Sequence, residues 1–203
     1  TNAPHLLPKA RGGYKFGDVT MRDHMAFDGL EDAYEGQAMG VYAEQTADQY
    51  SFTREAQDEY AIRSLKRAQA AIESGAFADE ICPVTYLSRG NPVTVDTDEQ
   101  PQKARFDKIP QLRPAFRKDG TVTAANASSI SDGAAAVVLM RQSTAQQQGL
   151  RPIARIIRHA SHSQEPSEFT LAPIGAITAL FEQSGWSKDD VDLFEINEAF
   201  AVV

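Results

Sequence analysis

The sequence predicts an α/β fold preceded by a region of helices and loops. Two apolar runs, residues 134–140 and 193–196, are short and bounded by turn residues, which is typical of strands buried on both faces of a sheet. Helical and strand-like segments alternate after residue 120, as they do in βαβ units. Residues 1–120 show no such alternation, so we expect a separate, α-rich region there.

The clearest element of this α-rich region is a helix over residues 54–74. Thr53 can cap its first turn, Glu55 complements the positive end of the helix dipole, and Gly75 supplies a stop. Its apolar positions recur every three or four residues, which indicates core packing, at Ala61, Leu65, Ala68 and Ile72.

The other segments of the first 120 residues are shorter. The first thirty residues are turn-rich and predict an ordered loop. A second helical pattern runs from Met39 to Tyr50. Residues 83–120 are rich in proline, which breaks regular structure, but apolar alternation indicates short strands at Tyr86, Val93 and Val95.

The second half alternates the two kinds of element. In chain order we expect a strand over 134–140, a helix over 143–149, a strand over 153–157, a helix over 173–184, a strand over 193–196 and a helix that begins at Asn197.

Composition excludes several classes of protein. The 203 residues carry a net charge of −8, which disfavours nucleic acid as a partner, although a few local cations would suffice for a phosphorylated ligand. No apolar run reaches the roughly 18 residues of a membrane helix, and no secretory signal is recognisable. Cys82 is the only cysteine, so an internal disulfide is impossible. We therefore expect a cytoplasmic protein without membrane contact.

Few residues suggest chemistry on their own. Cys82 lies in an apolar, strand-like stretch, so we expect a small buried hydrophobe rather than a nucleophile. Neither a nucleophile elbow nor a phosphate-binding glycine loop is present, so a hydrolase built from Ser128, Asp132 and His159 has little support. His159 and His162 lack partners at metal-ligand spacing, and we predict no metal site.

Two segments are more informative. Residues 126–133 are small and polar, which would let the backbone approach a ligand, although a tight turn would use the same residues. Asn197 follows a predicted buried strand, and ligands in α/β sheets bind at the carboxyl ends of strands. Its amide could donate a hydrogen bond to an oxyanion, could cap the next helix, or could do both.

These segments carry a resemblance to the thiolase family. Residues 197–201 resemble the thiolase motif Asn-Glu-Ala-Phe-Ala, and residues 121–140 resemble the second signature of the family. Further matches occur in the same order along the chain at 11–13, 39–40, 43–44, 52–54, 57–58 and 112–116. The resemblance covers essentially all 203 residues.

The resemblance implies a layered α-β-α-β-α fold, represented incompletely, with an α-rich loop domain. It assigns residues 1–120 to the CoA-binding loop domain, 121–149 to a segment returning to the N-terminal domain, and 150–203 to the start of the C-terminal domain. Thiolases condense two acyl-CoAs or cleave a 3-oxoacyl-CoA through an acyl-cysteine. Their CoA is a substrate rather than a tightly bound cofactor, and family members are homodimers or homotetramers.

The resemblance also assigns site residues. Asn197 matches the catalytic asparagine that holds a water in an oxyanion hole. Ten residues match positions that contact CoA: Leu30, Met39, Ala115, Phe116, Ala124, Ser128, Ile130, Phe169, Ala199 and Phe200.

The chain also departs from the family pattern. Ser129 stands where glycine is usual, Ser131 where asparagine is usual, and Ala38 where some short-chain thiolases carry histidine. The segments that bear the two reacting cysteines and the histidine are expected outside these residues, so we expect an internal part of a longer thiolase that is inactive alone. Acetoacetyl-CoA chemistry is favoured. The alternatives are a longer-chain 3-ketoacyl-CoA thiolase of β-oxidation and a non-catalytic CoA- or lipid-binding relative.

Overall fold

The computed structural model describes residues 2–203 and combines six α-helices with two small antiparallel sheets in that range. The helices are α1 (His24–Gly29), α2 (Met39–Tyr50), α3 (Arg54–Ser74), α4 (Glu99–Lys103), α5 (Gln142–Gln147) and α6 (Ala172–Ser184). The strands are β1 (His5–Leu6), β2 (Arg22–Asp23), β3 (Val84–Ser88) and β4 (Asn91–Val95). Short 3-10 helices cover Ala10–Gly12, Phe106–Gln111, Pro166–Leu171 and Lys188–Asp190.

Helix α3 has the ends that its sequence predicts. The Thr53 hydroxyl accepts a hydrogen bond from the Ala56 amide, and Glu55 lies in the first turn. Gly75 closes the helix at φ 67°, a left-handed conformation in which a residue without Cβ avoids steric cost. The predictions of α2 and of the strands at Tyr86, Val93 and Val95 are also confirmed.

The chain divides into two compact units. One contains residues up to 42, residues 129–197 and residue 203; the other contains 43–128 and 198–202. The first unit includes the β1–β2 pair, in which His5 is opposite Asp23 and Leu6 opposite Arg22. In the second unit, α3 packs against α4 and the Phe106–Gln111 helix, and β3 pairs with β4 so that Tyr86 faces Val93.

The buried apolar core of the second unit is small. It consists of Ala43, Ala47, Ala61, Ile109, Val122, Phe200 and Val202. Buried polar side chains lie among them, chiefly Glu44, Gln57, Asp58, Thr123 and Asn126. Because polar groups out of water need partners, hydrogen bonds determine much of how this unit is built.

The strands predicted at 134–140, 153–157 and 193–196 are not formed. No other segment of residues 2–203 pairs with them, and Val137, Val138 and Leu139 are 83%, 85% and 72% exposed. A strand is stabilised by hydrogen bonds to a neighbouring strand, so an apolar run without a neighbour stays extended and unpaired.

Three further predictions are wrong. Residues 198–202 form a β-bridge at Phe200 followed by a turn, rather than a helix that begins at Asn197. Cys82 is exposed, because it follows the turn that ends α3 rather than entering a buried strand. The first thirty residues contain β1, β2 and α1 in place of a continuous loop.

Candidate functional site

Two of the motif segments pair with each other in the second unit. The Ser128 amide donates to the Ala199 carbonyl at 2.9 Å, and the Ala201 amide donates to the Asn126 carbonyl at 2.8 Å. Between these bonds, Ala127 and Phe200 form an antiparallel bridge. The pairing joins segments about 70 residues apart in the sequence into one short ribbon, residues 126–128 with 198–201.

The Ser128 side chain reinforces this ribbon. Its hydroxyl lies 2.8 Å from the Glu198 carbonyl oxygen and 3.0 Å from the Ala199 carbonyl oxygen, and it donates to them. A serine hydroxyl has one proton and two lone pairs. Because the proton points to the backbone, the exposed side chain can offer a ligand only an acceptor.

An aromatic pair borders the ribbon. The Phe116 ring meets the Phe200 ring edge to face, with centroids 6.1 Å apart and planes at 78°. Phe200 is 9% exposed, whereas Phe116 is 37% exposed and presents an apolar surface to solvent. The Ala115 amide donates to the Val122 carbonyl at 2.9 Å, which holds the residues before Phe116 against the next strand-like segment.

A buried asparagine shapes the turn that precedes Ser128. The Asn126 side-chain amide donates to Asp58 at 3.1 Å and to the Thr121 carbonyl at 3.0 Å, and its oxygen accepts from the Thr123 amide at 2.7 Å. Asn126 is 3% exposed and Asp58 is 4% exposed. Ala124 is exposed at the top of this turn, which the Ala127 amide closes by donating to the Thr123 carbonyl.

A second buried carboxylate supports the same region. Glu44, 1% exposed, accepts from the backbone amides of Thr121 and Val122 and from the Thr121 hydroxyl, at distances of 2.8–3.2 Å. Arg117 lies 3.6 Å away and also binds Asp48 through two hydrogen bonds. The Glu44 carboxylate thus accepts hydrogen bonds from backbone amides that would otherwise lack a partner.

Helix α3 contacts the other segment of the ribbon through Glu198. The Tyr60 hydroxyl donates to Oε1 of Glu198 at 2.9 Å, and the Ser64 hydroxyl donates to Oε2 at 2.8 Å. Partial burial, followed by the hydrogen bond to Glu198, raises the pKa of the Tyr60 hydroxyl above its usual value. The hydroxyl therefore remains a donor at neutral pH.

The structure brings together only some of the predicted site residues. Phe116, Ser128, Ala199 and Phe200 form the cluster around the ribbon, with Ala115 and Ala124 in the adjoining turns. The remaining predicted residues belong to the first unit: Leu30, Met39, Ile130, Phe169 and Asn197. Within that unit the Met39 amide donates to the Leu30 carbonyl at 2.9 Å, Ile130 is 59% exposed, and Asn197 is exposed.

Other features of the described residues lie apart from this cluster. An open groove on the outer face of α3 is lined by Glu59, Ile62, Arg63, Lys66, Arg67 and Ala70, none of which is a predicted site residue. Within residues 2–203, no three histidine, cysteine or acidic side chains are placed to hold a metal ion. None of the described helices is long and apolar enough to cross a membrane.

Of the supporting residues, Glu44 and Asp58 stand out in the sequence only as matches to the family pattern, without a role, and Tyr60 and Ser64 do not stand out at all. Tyr60 and Ser64 lie one turn apart on α3, which is also the spacing of an ordinary solvated face. The partners of Asp58, Tyr60 and Ser64 are 68 to 138 residues away in the sequence, so no local signal could identify them.

The chain matches two family models. The model for the thiolase N-terminal domain matches residues 1–143, and the model for the thiolase C-terminal domain matches residues 150–203.

Individual relatives agree with these matches. An acetyl-CoA acetyltransferase of Thiocystis violacea is 48% identical over 99% of this chain and 52% of its own length. A cytosolic acetyl-CoA acetyltransferase of Gibberella zeae is 45% identical over 100% of this chain and 52% of its own. The crystal structure of an Ascaris suum thiolase in complex with coenzyme A superposes with a TM-score of 0.92 and 45% identity, covering 99% of this chain and 51% of the other.

The chain spans about half the length of the curated relatives it matches. Its mixed α/β structure corresponds to that half of the thiolase fold, as the sequence predicts. With family models matching nearly all of its residues and a superposition this close, the chain belongs to the thiolase family.

Proposed function

We propose that this chain is part of an acetyl-CoA C-acyltransferase that makes or cleaves 3-oxoacyl-CoA, with acetoacetyl-CoA the favoured substrate. The main support is the cluster of Phe116, Ser128 and Phe200 around the ribbon, since all three are predicted CoA contacts. Relatives that match the whole chain are named acetyl-CoA acetyltransferases, and one thiolase of this fold has been crystallised with coenzyme A. The acyl-cysteine is supplied by sequence outside these 203 residues.

The cluster suits the chemistry of a CoA arm. The pantetheine part of CoA is mostly apolar and carries amide N–H groups. Phe116 offers an exposed apolar surface, and Ser128 can only accept a hydrogen bond because its proton is given to backbone carbonyls. An N–H donor of the ligand is therefore the group that Ser128 would bind. The resemblance also assigns CoA contacts to Leu30, Met39, Ala115, Ala124, Ile130, Phe169 and Ala199, and we keep each of them in the proposal.

Asn197 is the proposed catalytic residue of this chain. Its side-chain amide would hold the water that donates to the thioester oxygen, where negative charge develops as the acetyl group becomes an enolate. A preorganised donor at that position lowers the barrier because it needs no reorientation during the reaction. The exposed position of Asn197 is compatible with contact to a ligand.

We propose for this chain the domain arrangement and the assembly that the family resemblance implies. Residues 1–120 form the loop domain, 121–149 the segment returning to the N-terminal domain, and 150–203 the start of the C-terminal domain. The whole protein is a cytoplasmic homodimer or homotetramer, in keeping with the cytosolic relative of Gibberella zeae. CoA and acyl-CoA are substrates and are not held permanently.

A longer-chain 3-ketoacyl-CoA thiolase is the second candidate. Ala38 precedes Met39 where some short-chain members of the family carry a histidine, and its half-buried methyl group offers no hydrogen bond. A non-catalytic CoA- or lipid-binding relative is the third candidate.

The test combines the intact mass of the purified protein with a thiolysis assay on acetoacetyl-CoA and on a longer 3-oxoacyl-CoA. For a polypeptide of 22.2 kDa we expect CoA binding without turnover. Turnover by that polypeptide would contradict the requirement for external cysteines, and failure to bind CoA would contradict the proposed site. In a longer active form, faster thiolysis of the longer substrate would favour the second candidate.

A further inference from the structure

The carboxylate of Glu198 is held at both oxygens by one helix. Tyr60 and Ser64, four residues apart and therefore on the same face of α3, donate to Oε1 and Oε2 at 2.9 and 2.8 Å. Because each oxygen has its own donor, the two bonds favour one orientation of this exposed carboxylate. The thiolase motif supplies Glu198, but nothing in that resemblance assigns a role to either hydroxyl.

The same helix also holds the opposite segment of the ribbon. Asp58, two residues before Tyr60 on the same helix, accepts from the buried amide of Asn126. Residues 126–128 and 198–201 are thus fastened to α3 independently, one by Asp58 and the other by Glu198. Helix α3 is the common support on which the two segments meet.

The ribbon needs the support of helix α3 because few hydrogen bonds join its two segments. Two backbone hydrogen bonds and the Ser128 hydroxyl join the segments, and isolated strand pairs are marginal in water even when longer. Hydrogen bonds to a charged group are roughly twice as strong as neutral ones. The two bonds to Glu198, although exposed to solvent, add to the few contacts that hold residues 198–201.

We infer that Tyr60 and Ser64 are positioning residues for Asn197, acting through the Glu198 carboxylate. Asn197 immediately precedes Glu198, so fixing the Glu198 side chain and its carbonyl restricts the backbone that carries the Asn197 amide. The inference rests on the proposed function for what Asn197 does. The effect of Tyr60 and Ser64 on the position of Asn197 can be measured in the absence of enzymatic turnover.

The test uses the ¹⁵N-labelled protein with Tyr60→Phe, Ser64→Ala and both together. Matched controls are Tyr86→Phe, at an exposed ring of β3, and Ser74→Ala, whose hydroxyl bonds only within α3. Amide hydrogen exchange is followed at Ser128 and Ala201, which hold the ribbon, and at Thr123, which bonds to Asn126. Side-chain amide signals of Asn197 and Asn126 are compared in the same spectra.

In the double variant we expect exchange at Ser128 and Ala201 to accelerate by about tenfold relative to Thr123, with smaller effects in the single variants. The Asn197 amide signals should move toward free-chain values while those of Asn126 stay dispersed. Exchange no faster than in the controls would overturn the inference, as would equal acceleration at Thr123. CoA titration of the unsubstituted protein tests the proposed function separately, so the two failures are distinguishable.

Discussion

Arg54 and Asp58 form an ion pair one turn apart on α3, with Nε and Oδ2 separated by 2.7 Å and both side chains largely out of solvent. Arg54 also donates to the carbonyls of Ile109 and Leu112, at 2.9 and 3.0 Å. The second oxygen of Asp58 accepts from Asn126. This pair therefore connects the Phe106–Gln111 helix to the turn that carries the candidate site.

Replacing Asp58 should destabilise the second unit. The Asp58→Ala substitution leaves the buried Arg54 charge and the Asn126 amide without their shared acceptor, and breaking a buried pair costs about 3–5 kcal/mol. Because Arg54 keeps two carbonyl partners, we expect the lower end of that range in urea unfolding. The matched control is Glu99→Ala, which removes an exposed ion pair of the same spacing and should cost less than about 1 kcal/mol. Equal losses in the two variants would contradict the structure.

A methyl group at Gly120 should also be costly. A Cβ there would collide with the Glu44 carboxylate, which three donors hold in place. Forcing extra volume into a fixed site costs about 1–3 kcal/mol, so Gly120→Ala should lower the free energy of unfolding by that amount. Gly133→Ala is the control, because a Cβ at that position meets no atom within 4 Å. A destabilisation at Gly133 as large as that at Gly120 would show that the Glu44 contact is not the cause.

Tyr42 should make stability depend on pH in the alkaline range. Burial, with the hydrogen bond to Glu35, raises the pKa of the Tyr42 hydroxyl from 10.0 to about 12. Since the folded state binds this proton more tightly, the associated stability is fully present below pH 10 and is lost as pH rises toward about 12. Urea unfolding of the protein and of Tyr42→Phe should diverge in that window. Parallel pH profiles for the two proteins would refute the assignment.

Removing the Ser128 hydroxyl should weaken CoA binding. The Ser128→Ala substitution deletes the acceptor offered to the ligand and frees the Glu198 and Ala199 carbonyls. We expect the Kd for CoA, measured by calorimetry, to rise by about tenfold, the effect of one lost hydrogen bond with an unpaired partner. Ser143→Ala, at an exposed position of α5, should leave the Kd unchanged.

In a form of the protein that turns over acetoacetyl-CoA, Asn197→Ala should lower kcat by about 10²–10³-fold, the usual effect of losing an oxyanion donor. Stability should change little because Asn197 is exposed. The exposed Asn2 provides the control substitution, Asn2→Ala. A change confined to KM would assign Asn197 to substrate binding instead of transition-state stabilisation.

Local signals in the sequence were sufficient to predict helix α3 and to recognise the resemblance to the family. Thr53 and Gly75 mark the ends of α3 through interactions with their own neighbours, so three or four residues predict each end. The contact of Tyr60 with Glu198 spans 138 positions and depends on how the chain is folded back, which no local pattern encodes. Small and polar residues drew attention to the segments of the ribbon, and their resemblance to the thiolase motifs assigned them roles.

The predicted strands failed for a different physical reason. The run at 134–140 has the composition of a buried strand, but a strand exists only in combination with a neighbour, and none pairs with it among residues 2–203. The prediction that Cys82 is buried is wrong for a similar reason. Its apolar neighbours predict burial, whereas its surroundings are set by the turn after α3.

The exposed run at 134–140 has a consequence for handling this polypeptide. It contains no proline and no charge, includes the β-branched residues Val137 and Val138, and is exposed along its whole length. The run itself holds no charge that opposes stacking, so the net charge of −8 is the main repulsion between copies. Salt screens that repulsion. At high protein concentration, added salt should therefore cause aggregation, measured as turbidity, before the circular dichroism signal of the helices is lost.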